Sequence, residues 1–388
     1  MREDWKSLPL QDLVERIETS DPRKAPDEPF TYIDVSSVSR ATLSVAESTQ
    51  IVGAEAPSRA RRLVRKDDVV FATIRPTLKR IAQIPVELDS AICSTGFFVL
   101  RPKDTVFGRY LFYWLLGEQF SKAMKKLQRG ASYPAVSDSD VKKQYVSLPP
   151  LPEQKLIVAI LDEAFAGIDA AIANTEKNLA NARELFDSTL RYFLGRGADS
   201  WVEKPLGECI RLKSGDNLTA KKMVAGKYPV FGGNGVAGEH NKYNLSGSNV
   251  IVGRVGALCG NARYVHDNIW LTDNAFKVSE KLQVFDDKFL AYLLNFKSLR
   301  TYARQSAQPV ISNSSLKDVN LVFPWLKSEQ RIIAEKIDEV QAEIDKVKTV
   351  YNRKLIVLAE LKQSLLQKAF SGELTAERAE AAVEEVTA

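Results

Sequence analysis

At 388 residues the chain exceeds what one hydrophobic core organises, so two or three domains are expected. Apolar residues at 45% and charged residues at 27% exclude a disordered chain, and no apolar run approaches the ~20 residues that span a bilayer. The net charge of +5 is unevenly spread: between Arg59 and Lys143, 17 Lys and Arg stand against 8 Asp and Glu, which favours a polyanionic partner over a merely solvated basic face.

The chain opens on Met1-Arg2-Glu3-Asp4 where a secreted protein would carry an apolar signal region, so a cytoplasmic location is expected. A short segment, Trp5-Lys6-Ser7-Leu8-Pro9-Leu10, comes next. Val69-Val70-Phe71-Ala72 and Gly96-Phe97-Phe98-Val99-Leu100 read as strands, and 110–126 reads as a helix. Between the first two lies a loop, 72–80, that presents Arg75, Thr77, Lys79 and Arg80. A second loop, 129–137, carries Arg129, Ser132 and Tyr133. Arginine can bond two acceptors on a guanine edge, whereas lysine or arginine on phosphate gives sequence-independent affinity. For any one of these residues phosphate contact or plain solvation competes with base reading.

At Pro149-Pro150-Leu151-Pro152-Glu153-Gln154 the hydrophobic period changes to helical, with Ile157, Leu161, Ala164, Ile168, Ala171 and Thr175 on one stripe. This helix is expected within 151–196, with roughly 42 helical residues spanning about 63 Å. It stops at Gly195-Arg196-Gly197.

The chain then restates itself. Trp201-Val202-Glu203-Lys204-Pro205-Leu206 answers the opening segment, and Asn249-Val250-Ile251-Val252 reads as a strand. Its following loop, 253–263, holds Arg254, Asn261 and Arg263 among glycines that permit close backbone approach. A helix is expected over 289–304. The loop 304–312, with Arg304 and Gln308, answers 129–137, and Glu329-Gln330 answers Glu153-Gln154. A second long helix over 327–372 carries Ile333, Ile337, Val340, Ile344, Val347 and Tyr351, then Leu358, Leu361 and Leu365. Either long helix alone could be an amphipathic helix on a core; length and recurrence favour a pair. The second must return along the first, giving an antiparallel coiled coil between two globular parts. The alanine-rich acidic stretch 373–388 is expected to be disordered.

Several motifs are excluded. Gly233-Asn234-Gly235-Val236-Ala237-Gly238 fits a dinucleotide fingerprint in letters, but no helix pattern follows it. No phosphate-loop lysine motif or methyltransferase Pro-Pro-aromatic motif is present, and His240 and His266 have no partner pattern, so no catalytic or metal site is assigned. Cys93, Cys209 and Cys259 form no C-x-x-C pair and read as reduced core thiols.

The duplicated pattern, the Pro149 to Gln154 junction with its weaker copy at 324–330, and the paired loops together resemble the specificity subunit of type I restriction-modification systems. The fold expected is α+β with an internal pseudo-two-fold repeat: recognition domains at 1–150 and 197–326, separated by antiparallel coiled-coil helices at 151–196 and 327–372. The resemblance implies that each domain reads half of a split, asymmetric DNA site, with the helices as a ruler. It also implies two modification subunits that use S-adenosylmethionine, and restriction subunits that use ATP and Mg, while this chain holds no cofactor. A coiled-coil interaction or nucleic-acid-binding adaptor unrelated to restriction is the alternative.

Overall fold

A computed structural model describes residues 5–195, 197–198, 200–304 and 308–376. It separates into two compact units, unit 1 from residues 1–175 with 353–388 and unit 2 from 176–352.

Unit 1 contains β1 (Lys6–Pro9), β2 (Pro29–Ile33), β3 (Thr49–Val52), β4 (Ala60–Leu63), β5 (Val69–Ala72), β6 (Ile81–Gln83), β7 (Ile92–Ser94), β8 (Phe97–Leu100) and β9 (Tyr145–Leu148). They form a four-stranded sheet of order β3-β2-β7-β4, a three-stranded sheet β6-β5-β8, and an antiparallel pair β1-β9. Strand β5 is buried at every residue because it lies between two partners under both faces, which is why it reads as a continuous apolar run. The helix expected over 110–126 is two helices, α1 (Gly108–Leu116) and α2 (Glu118–Leu127). Gly117 separates them with extended backbone, and an added Cβ there would lie 3.1 Å from the Trp114 carbonyl oxygen.

The long helix α3 (Leu151–Leu194) starts in unit 1 and ends in unit 2. Unit 2 continues with β10 (Trp201–Pro205), β11 (Ile210–Ser214), β12 (Tyr228–Gly232), β13 (Gly235–His240), β14 (Asn249–Gly253), β15 (Ala262–Val265), β16 (Trp270–Leu271), β17 (Ala275–Lys281), helix α4 (Asp287–Phe296) and β18 (Asn320–Pro324). The sheets are β11-β17-β14-β15, β13-β12-β16 and the antiparallel pair β10-β18. Helix α4 is shorter than the span 289–304, because Ser298 takes a left-handed φ of 49° and a 3-10 turn follows. The second long helix, α5 (Lys327–Ser371), starts in unit 2 and ends in unit 1, where Gly372 at φ 89° supplies the left-handed stop.

In each unit the core is shared between sheet, short helix and long helices. Phe71, Tyr110, Trp114 and Phe120 pack with Trp5, Ile157, Leu161, Leu366 and Ala369 in unit 1. In unit 2 Phe285, Phe289 and Phe323 pack with Leu190, Leu194, Ile333 and Ile337. The long helices are thus both things the sequence allowed, core helices near the sheets and an amphipathic pair beyond.

Of the residues expected on the seam, Ile157, Leu161, Ile168, Ile333, Ile337 and Ile344 are buried, the first two and Ile333 and Ile337 within the sheet-bearing cores, and Val340, Leu358 and Leu365 are partly covered. Val347 and Leu361 are corrections: they are 39% and 44% exposed. The inward place beside Leu361 belongs to Lys362, whose stem covers apolar surface while its head reaches an acid, and Lys348, beside Val347, pairs with Asp345 of its own helix. Lys362 lies 4.9 Å from the centroid of the Phe165 ring and pairs with Asp169. Phe165, buried, takes the place assigned to Ala164.

Each Glu-Gln pair is a clasp between long helix and sheet. Glu153 accepts the Trp5 indole N–H at 3.2 Å through one oxygen and the Thr375 hydroxyl at 2.7 Å through the other. Thr375 is buried, so the expectation of disorder is corrected for residues 373–376, whereas 377–388 lie outside the described residues. Gln154, fully buried, accepts the Phe107 N–H at 2.8 Å and donates to the carbonyls of Thr105 and Pro149 at 3.1 and 2.9 Å. Unit 2 repeats this: Glu329 accepts the Trp201 indole at 3.0 Å, and buried Gln330 accepts the Asp286 N–H and donates to the Pro324 carbonyl. Nine residues on, Asp162 accepts from Tyr113 and Arg109, and Asp338 from Tyr292 and Lys288.

All three cysteines are buried; burial pushes the Cys93 thiol up to about 12 and Cys209 up to about 11. At pH 8 the Cys93 thiol is held protonated and poorly nucleophilic. Native protein is therefore expected to release almost no chromophore from a disulfide thiol reagent at pH 8, and three equivalents once urea is added. Fast reaction of even one thiol in the native state would contradict this packing.

Candidate nucleic-acid interface

The two loops singled out in unit 1 are sewn into one platform. Leaving β5, Thr73 buries its hydroxyl against the Gly96 carbonyl at 3.0 Å, and its own carbonyl accepts the Val136 N–H. The Arg75 N–H reaches the Pro134 carbonyl at 2.7 Å, and Arg129 and Ala135 exchange both backbone bonds at 2.9 Å. Arg75 and Lys79, both at φ 50°, flank the 3-10 turn Pro76–Leu78. A left-handed arginine is strained backbone, held here by the stitching. The reward is its direction: the guanidinium lies over the Tyr133 ring at 5.2 Å, and that ring is 73% exposed.

Unit 2 builds the same platform from 253–262 and 304–312, but two residues out of step with the simple reading. The Ile311 N–H bonds the Arg254 carbonyl, the Gly256 N–H bonds the Pro309 carbonyl, and Arg304 and Val310 form the closing bridge. By these bonds Arg254 stands where unit 1 has Thr73, and Gly256, at φ 92°, stands where unit 1 has Arg75. Gln308 answers Tyr133, and Arg304 answers Arg129. Gln305, Ser306 and Ala307 lie outside the described residues.

Arg254 accordingly points inward. Its Nη1 donates to the Ser214 hydroxyl at 3.1 Å and the Asp273 carbonyl at 3.3 Å, and its guanidinium sits 5.4 Å from the Phe276 ring centroid.

The remaining candidates divide. Thr77, Ser132 and Arg129 are exposed on the unit 1 platform, with Arg129 paired to Asp140 at 3.2 Å. Hydrogen bonds from the Ser137 backbone and side chain hold the Asp140 carboxyl below its ordinary value, with Arg129 adding to them. Lys79 and Arg80 are spent internally: Lys79 Nζ donates to the Leu116 carbonyl at 3.0 Å, and Arg80 to those of Ser36 and Val38. Burial lowers the Lys79 amine. Burial likewise lowers the Arg263 guanidinium, which lies behind Gly235, and Asn261 is partly buried under its loop. The glycines of that loop admit the protein's own groups: a Cβ on Gly260 would sit 2.5 Å from the Arg300 nitrogen.

The Gly233–Gly238 motif makes the turn between β12 and β13 at Gly233-Asn234 and runs on into β13, and no helix follows. His240 is buried and accepts the Val224 N–H. Among the described residues no group of three or more His, Cys, Asp or Glu could hold a metal, and no helix is long and apolar enough to cross a membrane.

The profile of the type I restriction modification DNA specificity domain matches residues 2–180 and again 198–353. The EcoprrI specificity subunit of Escherichia coli, a type I restriction enzyme component, is 27% identical over 260 residues, 62% of this chain and 64% of its own length. The StySPI specificity subunit of Salmonella potsdam is 26% identical over 325 residues, 74% of this chain and 70% of its own. The chain therefore spans just under two thirds of the first of these relatives. Among solved structures, a chain from work on complex assembly and conformational transition of the type I R-M system is 26% identical with a TM-score of 0.83, covering 96% of this chain and 99% of that one. The HsdS subunit from Thermoanaerobacter tengcongensis is 26% identical with a TM-score of 0.59, covering 96% and 98%. An adaptor unrelated to restriction is set aside by these matches. Two matched segments, each ending in a long helix and each carrying the same stitched platform, leave one conclusion: the chain belongs to the type I restriction modification DNA specificity domain family, with one copy of the domain in each half.

Proposed function

We propose that this chain reads duplex DNA for a cytoplasmic type I restriction-modification complex, each unit reading one half of a split, asymmetric site. The observation that carries the reading is the platform itself. It is built twice from the same backbone bonds, yet offers Arg75 and Tyr133 in one unit and Gly256 and Gln308 at the equivalent places in the other. A common scaffold with different side chains on it suits two half-sites of different sequence. The sheet-bearing parts, 1–150 and 197–326, act as recognition domains. The long helices α3 and α5 offer methyltransferase subunits two similar docking places, and ATP-driven restriction subunits join that assembly. This chain performs no catalytic step and holds no cofactor; S-adenosylmethionine, ATP and Mg serve the partners.

Selection of bound duplexes from a random library, with methyltransferase co-expressed, is expected to yield two informative blocks parted by unread positions. A single continuous motif, or no enrichment, would overturn the reading. Arg75→Ala is expected to weaken specific binding by about 1–3 kcal/mol and to relax one block only. If affinity fell evenly across all sequences with a shallower salt dependence, Arg75 would be a phosphate contact instead.

A further inference from the structure

The corner behind the platform carries different charge in the two units. In unit 1 its arginines are matched by acids, Arg129 with Asp140 at 3.2 Å and Arg62 with Asp138 at 2.8 Å. Both acids lie on the capping turn Ser137-Asp138-Ser139-Asp140. Unit 2 folds the same capping turn as Ser312-Asn313-Ser314-Ser315, with no carboxylate in it. Arg304 keeps the place of Arg129, but no carboxylate among the described residues pairs with it. Arg254 adds a second guanidinium where unit 1 has only the Thr73 hydroxyl.

Those two arginines, with Ser214, Ser312 and Ser314, line an open cavity of about 630 Å³ in unit 2, and among the described residues no acidic side chain lines it. Ser214, the Asp273 carbonyl and the Phe276 ring hold the Arg254 guanidinium, yet its Nε–H is buried and makes no hydrogen bond. A buried donor with no acceptor is costly, but this nitrogen is sealed from the cavity, so an occupant would meet the partly exposed outer end of the Arg254 side chain. Asn313 does not compete for one, since both ends of its amide are bonded to the backbone of Leu212. What the cavity offers is two positive planar donors and a serine hydroxyl with no counter-charge, a donor set for a tetrahedral oxyanion.

We propose that this cavity of unit 2 binds a phosphate group, and that unit 1 has no equivalent site. The proposal deepens the DNA-reading assignment, on which it rests for its duplex arm only: a backbone phosphodiester seated here would give unit 2 affinity that does not depend on sequence. The same donors would accept a free phosphate.

The test uses the full chain and inorganic phosphate, titrated by phosphorus NMR at constant ionic strength with chloride as balance. Wild type is expected to show saturable binding. Arg304→Ala should weaken it at least tenfold, and so should Ser315→Asp, which restores the acid that unit 1 carries at Asp140 and keeps the capping turn. Arg129→Ala, in unit 1, should leave it unchanged. On duplex DNA, Arg304→Ala should weaken binding evenly across sequences and reduce the slope of log K against log salt by about one. Loss of phosphate binding in both variants with unchanged duplex binding would keep the site and name a free phosphate as its occupant. Phosphate binding that depends on Arg304 in a chain that binds no duplex would sink the DNA reading and leave the site standing. Unchanged phosphate binding in Arg304→Ala and Ser315→Asp alike would overturn the proposal.

Discussion

Replacing the fully buried Gln154 with alanine is expected to destabilise unit 1 by about 2–4 kcal/mol, because one buried and two partly buried backbone bonds are lost at once and a buried group left unsatisfied costs roughly 1–3 kcal/mol. Those bonds are to the Phe107 N–H at the start of α1 and the carbonyls of Thr105 and Pro149. Gln154→Met separates volume from bonding, since it fills the space and bonds nothing; it should recover only part of the loss. Gln330→Ala should act on unit 2 in the same way but less, with the Asp286 N–H and Pro324 carbonyl at stake. Urea unfolding followed by hydrogen exchange would resolve the units, whose transitions need not coincide. A Gln154→Met protein as stable as wild type would show that the clasp is shape alone.

The second large effect is expected at Asp68 and Arg101, whose side chains are 2% and 10% exposed and joined by two bonds of 2.9 and 3.1 Å. Desolvation outweighs the guanidinium and pushes the Asp68 carboxyl above its usual value, so the charged pair is held at a cost. Removing one partner leaves the other charge buried: Asp68→Ala should lose about 3–5 kcal/mol. Replacing both, as Asp68→Leu with Arg101→Met, should lose much less, and a gain is physically allowed. Chemical denaturation of the single and double variants decides this, and equal losses in both would mean that the packing, not the stranded charge, sets the stability.

What could be read from the sequence was what depends on periodicity and repetition. Both long helices, strand β5 and the paired loops follow from apolar spacing and from recurrence. Lys362 was missed because a seam sought among apolar letters passes over a lysine that buries its stem. The match of Arg75 to Gly256, and of Arg254 to Thr73, was hidden because it is set by backbone bonds to Pro134 and Pro309, and an arginine two residues away offers the eye a better partner. The Asp162 and Asp338 contacts did leave a signal, an aspartate nine residues after each Glu, with Arg109 and Tyr113 spaced as Lys288 and Tyr292 are. It is legible only once the two halves are laid side by side.

The make-up of unit 1 bears on its birth at the ribosome. Its core needs Leu366 and Ala369 from the end of α5, and Glu153 holds Trp5 and Thr375 on the same carboxylate. Unit 2, by contrast, is one uninterrupted stretch, 176–352. At ~5–20 residues per second, the roughly 180 residues between the two pieces of unit 1 take about 10–40 s to be made. During that wait the first-made piece has an apolar groove with nothing to fill it, while the second unit already has all its parts. The order of synthesis and the order of completion are reversed: the half translated first is finished last, and its final helix turns close it.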